Sequence, residues 1–403
     1  MVGAGESYLP AFALNQGLTE VQAGYFVTLP LMIGALIQMI TPWGIAYVKS
    51  LKNWVVGAAS LQAVAFLPLL FLSFQDSSPS WVMFLLASIY WGAGFAAGPP
   101  WNSWMSQLIS PEETSGFFAT RLRVSQMGIM AGLFLGGVAL HFGTQFEITT
   151  LVFSGLFIVA FVFRASSALL LSQKDYDHTW HVVSAGFKET VALFFADKQY
   201  RKFFGFLFIF FSTIFISSPF VNPYFLEKVK LDYFSYMLSL GALFVGKIAV
   251  LPFAGNLVEK WGIKRVFFLG VIGISPLPGF WFLSQDLWYL VFLQALSGAF
   301  WSIFEVSLAL VFFKQVDVRF KISALTFYNL FYALAIAVGS LIGGFFLHQM
   351  EESWEGYFTI FILGAVLRTL VVVGFYFLSK KDKNFLWSSK SPKGSSEPTR
   401  SRL

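Results

Sequence analysis

Long apolar runs alternate with short polar gaps along the chain, and most runs match the roughly 20 residues that cross a bilayer as a helix. They occupy residues 21–48, 53–74, 81–109, 117–142, 148–172, 202–227, 233–258, 264–284, 287–313, 321–348 and 356–379. That predicts eleven spans, and residues 1–14 form a twelfth run too short to cross. The gaps are not equivalent. Of 27 Lys and Arg residues, 22 fall in every second gap, only Lys228 and Lys230 fall in the alternate ones, and Arg164, Lys247 and Arg368 lie inside apolar runs. Basic loops stay on the cytoplasmic side of a membrane. Lys49 and Lys52, Arg121 and Arg123, Lys260 with Lys264 and Arg265, Lys314 with Arg319 and Lys321, and the tail are therefore predicted cytoplasmic, and both termini with them. The pattern is that of an all-α, multi-pass protein of the cell membrane.

Internal repetition explains the short run. Pro10 and Leu18-Thr19 match Pro223 and Leu231-Asp232 at a spacing of 213 residues, Gly136 to His141 match Gly343 to His348 at 207, and Ala160 to Arg164 match Gly364 to Arg368 at 204. Three co-linear matches with a drifting offset predict two pseudo-symmetric six-helix bundles, 1–172 and 202–379. Met1 then corresponds to Ile214, so the sequence is expected to begin inside its first helix. The 173–201 loop between bundles places Phe187, Val191, Phe194 and Phe195 at helical spacing, which predicts an interfacial amphipathic helix. The tail, 380–403, is rich in Ser, Lys and Arg and is predicted disordered.

Composition narrows the function classes. Charged residues make up 12% against 57% hydrophobic and 19% aromatic, including 50 Phe, whereas soluble chains carry about 25% charged residues. Lipid must solvate much of this surface. The net charge of +6 is spread over short loops, which fits anionic lipid rather than nucleic acid. There is no cysteine, and His141, His178, His181 and His348 show no zinc-like grouping, so no metal or other cofactor is expected. No phosphate-binding Gly-x-x-x-x-Gly-Lys-Ser/Thr loop and no catalytic triad pattern occurs, so the chain does not read as an enzyme.

The most specific string is Gly255-Asn256-Leu257-Val258-Glu259-Lys260-Trp261-Gly262-Ile263-Lys264-Arg265. It reads Gly-x-Leu-x-acid-base-x-Gly-x-base-base and sits between two spans on the basic side. Gly255 would allow close helix packing, Gly262 a positive-φ turn, and Glu259, Lys260, Lys264 and Arg265 would cap or clamp helix ends as a gate closes. This string resembles the cytoplasmic loop motif of the major facilitator superfamily, found between helices 2 and 3 and again between helices 8 and 9. The matching first-half stretch, Gly44 to Asn53, keeps the leading Gly and two bases but has Val48 and Leu51 in place of the acid and the second Gly. The resemblance implies twelve helices, alternating access by rocking of the bundles, and a central cavity lined by helices 1, 4, 7 and 10.

Ionisable groups at membrane depth are costly and mark function or structural pairing. Glu6, nine residues before Asn15, lies about 14 Å from the outer end of the first helix at 1.5 Å per residue. It is a candidate proton carrier or substrate anchor. Glu305 falls on the inner half of the tenth helix and Lys247 near the centre of the eighth, where each needs a ligand or the other as partner. Arg164 and Arg368, symmetry mates on helices 6 and 12, are read as snorkelling or bracing groups, and His141 and His348 as interface polar groups. Gly98-Pro99-Pro100-Trp101-Asn102 is predicted to interrupt the fourth helix, and Ser217-Ser218-Pro219 with Asn222-Pro223 the seventh. Trp101, Trp301, Tyr328, Asn329 and Tyr332 offer stacking and hydrogen bonds to a solute.

The expectation is a monomeric secondary transporter of a small solute, proton-coupled through Glu6 and Glu305, leaning to export of apolar or amphipathic compounds. Two alternatives remain at this point. A free Lys247 would favour small organic anions or metabolites, and a blocked cavity would indicate a receptor or scaffold that does not transport.

Overall fold

A computed structural model of the chain describes residues 1–75, 79–109, 111–174, 192, 195–196, 198–315 and 321–381. The predicted inter-bundle helix at Phe187, Val191 and Phe194, the loop histidines His178 and His181, and the tail beyond Lys381 lie outside the described residues. Among those described, every regular element is a helix, and eleven segments are long and apolar enough to cross a membrane. The predicted all-α fold of two six-helix bundles is present.

The first bundle comprises a 3-10 turn Glu6–Tyr8 leading into α1 (Leu9–Asn15), α2 (Glu20–Gln38) continued by α3 (Thr41–Val48), α4 (Leu51–Val64) continued by α5 (Phe66–Ser73), α6 (Ser80–Leu108), α7 (Pro111–Gln145) and α8 (Thr149–Ser172). The second comprises α9 (Lys198–Phe215) with an irregular continuation to Lys228, α10 (Tyr233–Trp261), α11 (Ile263–Ile274) with the short turn Leu277–Phe280, α12 (Leu287–Gln315), α13 (Lys321–Gln349) and α14 (Trp354–Lys381). The repeat survives in local geometry. Thr19 caps α2 and Asp232 caps α10, at nearly identical backbone angles (φ −66°, ψ 164° and φ −65°, ψ 162°), each accepting the N–H three residues on.

The two proline clusters behave differently. After Phe215 the seventh span breaks into a 3-10 turn Ser218–Phe220, a single α turn Val221–Pro223 and a π turn Tyr224–Lys228. The predicted interruption of the fourth span does not occur, because α6 runs unbroken through Pro99 and Pro100. Pro100 has no N–H to offer the carbonyl of Ala96, and Trp54 supplies the donor instead, its indole Nε1 lying 3.0 Å from that oxygen. A helix in lipid tolerates proline when a neighbour satisfies the freed carbonyl in this way.

Packing separates the two ends of the molecule. On the side away from the basic loops, one buried core joins both bundles, with Tyr8, Phe12, Phe153 and Phe157 meeting Phe220, Tyr224, Tyr236 and Tyr357. On the basic-loop side the cores are separate: Leu51, Val55, Trp104 and Met105 in the first bundle, and a phenylalanine-rich cluster around Phe206, Phe267 and Phe304 in the second. Large apolar side chains on α2 and α3 lie bare there, Tyr47 at 89% and Trp43 at 70% exposure. Among the described residues, the bundles share one core on the first side and have separate cores on the other.

Within the second bundle, α10 and α12 approach to backbone contact. A Cβ on Gly246 would lie 1.9 Å from the carbonyl oxygen of Ala295, and one on Gly298 would lie 1.9 Å from that of Leu243. Only glycine fits at these crossings. That proximity brings residue 247 opposite residue 305.

Candidate functional site

Residues Gln294, Ser297, Trp301 and Glu305 recur at helical spacing on α12 and form one wall of a cavity of about 340 Å³. Leu240, Leu243 and Lys247 of α10 face them, the broken seventh span supplies Ser217, Ser218 and Asn222, and Trp281, Tyr332 and Arg368 complete the lining. The cavity is cut into the second bundle, at the point where proline has removed regular backbone bonding from the seventh span.

Two of the predicted site residues form an ion pair. The Lys247 Nζ lies 2.7 Å from Glu305 Oε1, and the two side chains are 25% and 50% exposed. The ammonium also sits 5.9 Å from the Trp301 ring, within cation–π range. Neither charge is free, so the charges of this pair cancel.

The deepest charge in the cavity is one that sequence reasoning assigned elsewhere. Arg368 does not snorkel; it is 3% exposed. It braces the seventh span, with Nε donating to the carbonyl of Thr213 at 3.4 Å and Nη2 to the carbonyl of Ile214 at 2.7 Å and to Ser217 Oγ at 2.6 Å. These acceptors lie in the last turn of α9 and just beyond it, before Pro219. The sequence carried a signal for this in the deep position of Arg368 opposite a proline break. Trp281 and Gln294 were also missed, although Gln294 lies on the same helical stripe as Trp301 and Glu305.

Other candidates lie apart from the cavity. Glu6 is held inside the first bundle, where Tyr90 donates to its Oε2 at 2.6 Å, and it is not among the cavity's lining residues. Trp101 lies under the Arg121 guanidinium at 4.1 Å, and Asn102 is exposed. Tyr328 backs onto Tyr332, the rings stacked with centroids 5.9 Å apart, so it supports the wall from behind. Asn329 is half-buried outside the lining.

In the loop motif, Gly262 takes φ +81° and ψ 153° as α10 passes into α11, the positive-φ turn expected. Gly255 does not serve close packing, since a Cβ there would meet open space. Lys264 donates to the carbonyl of Ser379 in the last turn of α14 at 3.3 Å, a clamp on a helix C-terminus. Glu259, Lys260 and Arg265 are exposed.

The closed side carries a polar seam between bundles. Glu20 pairs with Lys228 at 2.7 Å and accepts from the Tyr357 hydroxyl at 2.6 Å, while its own N–H donates to Glu352 at 2.9 Å. His141 meets Asp232 at 2.8 Å. Partial burial would push the Asp232 carboxyl up, but hydrogen bonds from Ser235 and His141 outweigh it and hold the group below the usual aspartate range.

Two helical bundles that share a core at one end, with a charged cavity cut into the second at membrane depth, make an integral multi-pass membrane fold. Residues 203–401 match the family model of the Major Facilitator Superfamily. The fold of the whole chain agrees with this. The crystal structure of the nucleoside transporter NupG superposes with a TM-score of 0.61 at 15% identity, covering 93% of this chain and 97% of that one. A single-site variant of NupG superposes at 0.59 and 16% identity, covering 92% and 97%. No curated protein matches the chain in sequence. The second bundle thus matches the major facilitator superfamily model and the whole chain has the fold of a transporter structure, a fold that supports secondary transport by alternating access.

Proposed function

We propose that this chain is a proton-coupled carrier in which the Lys247–Glu305 pair is the coupling element and the second-bundle cavity takes the solute. The observation that carries this reading is the 2.7 Å contact between an ammonium and a carboxylate on two different helices, both lining the cavity. Protonation of Glu305 removes one charge of the pair, frees Lys247, and loosens the contact between α10 and α12. A proton and a solute then act on one packing contact, which is what coupling requires. Trp281, Trp301 and Tyr332 give the cavity aromatic walls suited to a solute with an apolar or planar face. Glu6, bonded to Tyr90 away from the cavity, serves the first bundle's structure in this scheme.

With the basic loops taken as cytoplasmic, the core shared by both bundles closes the outer side, and in this scheme 1–172 and 202–379 are the two moving bodies of an inward-facing carrier. The open cavity supports carriage over the scaffold alternative, which needs a blocked one. The test is transport in vesicles. Solutes found by thermal shift across a metabolite library are assayed with the reconstituted protein under an imposed pH gradient. The gradient should drive accumulation by the wild type, and Glu305→Gln should retain facilitated exchange without it. Wild-type transport indifferent to the gradient would end the proton-coupled reading.

A further inference from the structure

We propose that Arg368 is an acid-recognition group: its unused guanidinium edge, beside the Ser217 and Ser218 hydroxyls, binds the carboxylate of a solute whose apolar or aromatic body lies against Trp281, Trp301 and Tyr332. This rests on the transporter reading for its biology, and on the cavity's charge for its chemistry. Three side chains that carry charge line the cavity, Lys247, Glu305 and Arg368. The first two neutralise one another, which leaves one positive charge uncompensated among the described residues.

Arg368 is at once 3% exposed and part of the lining. Every partner it has among the described residues is neutral: the carbonyls of Thr213 and Ile214 and the Ser217 hydroxyl. Those bonds use Nε and Nη2, and Nη1 has no partner among the described residues. A buried charge with no counter-ion is strongly penalised, and bracing a broken helix does not require one, since a neutral amide would also donate to carbonyls. What a guanidinium adds is a planar fork that matches a carboxylate. Ile214, Leu243 and Leu277 in the same lining make the site hostile to a strongly hydrated dianion, which favours a monocarboxylate over a phosphate. The proton chemistry agrees in sign. Protonation of Glu305 would raise the cavity's positive charge, so a proton and an organic anion would occupy the same state.

The test is binding, which needs no transport. Benzoate, phenylacetate and indole-3-acetate are titrated against the full chain in lipid nanodiscs, each beside its neutral amide. Wild-type protein should bind at least one acid about tenfold or more tighter than its amide. Arg368→Gln, which keeps amide donors for the carbonyls, should bring acid and amide within about twofold without weakening the amide. The inference is overturned if none of the acids binds, if acids and amides bind the wild type alike, or if the preference survives Arg368→Gln. The wild-type comparison alone decides the matter should the variant fail to fold. Acid preference without pH-driven transport would sink the carrier reading and leave the subsite standing, and the reverse result would do the opposite.

Discussion

Glu20 offers the sharpest handle on the conformational equilibrium. It is 13% exposed and joins the bundles through Lys228 and Tyr357, and both contacts must break for the closed side to open. Glu20→Gln keeps an oxygen for Tyr357 and removes the ionic contact. A hydrogen bond to a charged group contributes about 1.5–3 kcal/mol, and the stranded Lys228, still 20% exposed, recovers part of its hydration. The net loss is therefore about 2 kcal/mol, or about a 30-fold shift toward the state open on this side. Lys228→Met should do much the same, and the double variant little more, because both remove one interaction. The chain has no cysteine, so spin labels at Gln145→Cys and Glu227→Cys, exposed positions on opposite bundles, report the seam without background. Double electron–electron resonance should show a longer distance population growing in both single variants. Wild-type distributions in both would refute the assignment of this pair as a latch.

Two further outcomes follow from local geometry. Gly262 occupies a region of φ/ψ space essentially restricted to glycine, so Gly262→Ala should lower stability by about 1–3 kcal/mol, read as a reduced midpoint in thermal unfolding; an unchanged midpoint would refute the strain argument. Asp232 has a depressed folded-state pKa, so its contribution is complete above the ordinary aspartate value near 3.9 and is lost as pH falls through the lower folded value. The stability gap between wild type and Asp232→Asn should be constant above about pH 4 and shrink below it, and a gap that persists in acid would count against the carboxylate.

Much of the architecture was legible because membrane solvation leaves so few options. Helix length, loop charge and the 213-residue match between Thr19 and Asp232 all follow from one-dimensional pattern, and the caps confirm that match in the backbone. The Lys247–Glu305 pair was legible for a similar reason, as opposite charges on two apolar spans have few other partners. What pattern could not supply was the neighbour across space. Pro99 and Pro100 read as a break, and only the Trp54 indole, 46 residues away in sequence from Pro100, shows why α6 survives. Glu6 read as a cavity group, yet the Tyr90 hydroxyl holds it inside its own bundle. Arg368 read as a snorkelling or bracing cation on an outer helix, and only its contacts with the carbonyls of Thr213 and Ile214 show that it braces.

The symmetry mates Arg164 and Arg368 show how the two bundles have diverged in charge. In the first bundle, Arg164 and Glu6 both lie within electrostatic reach of Tyr90, while the buried Arg164 Nε has no hydrogen-bond partner among the described residues. In the second, the corresponding arginine has only neutral partners, and the single acid lining the cavity is engaged by Lys247. Arg368 lines a cavity of about 340 Å³. Arg368 thus stands in the cavity lining with neutral partners only, and that is the charge on which the proposed acid subsite rests.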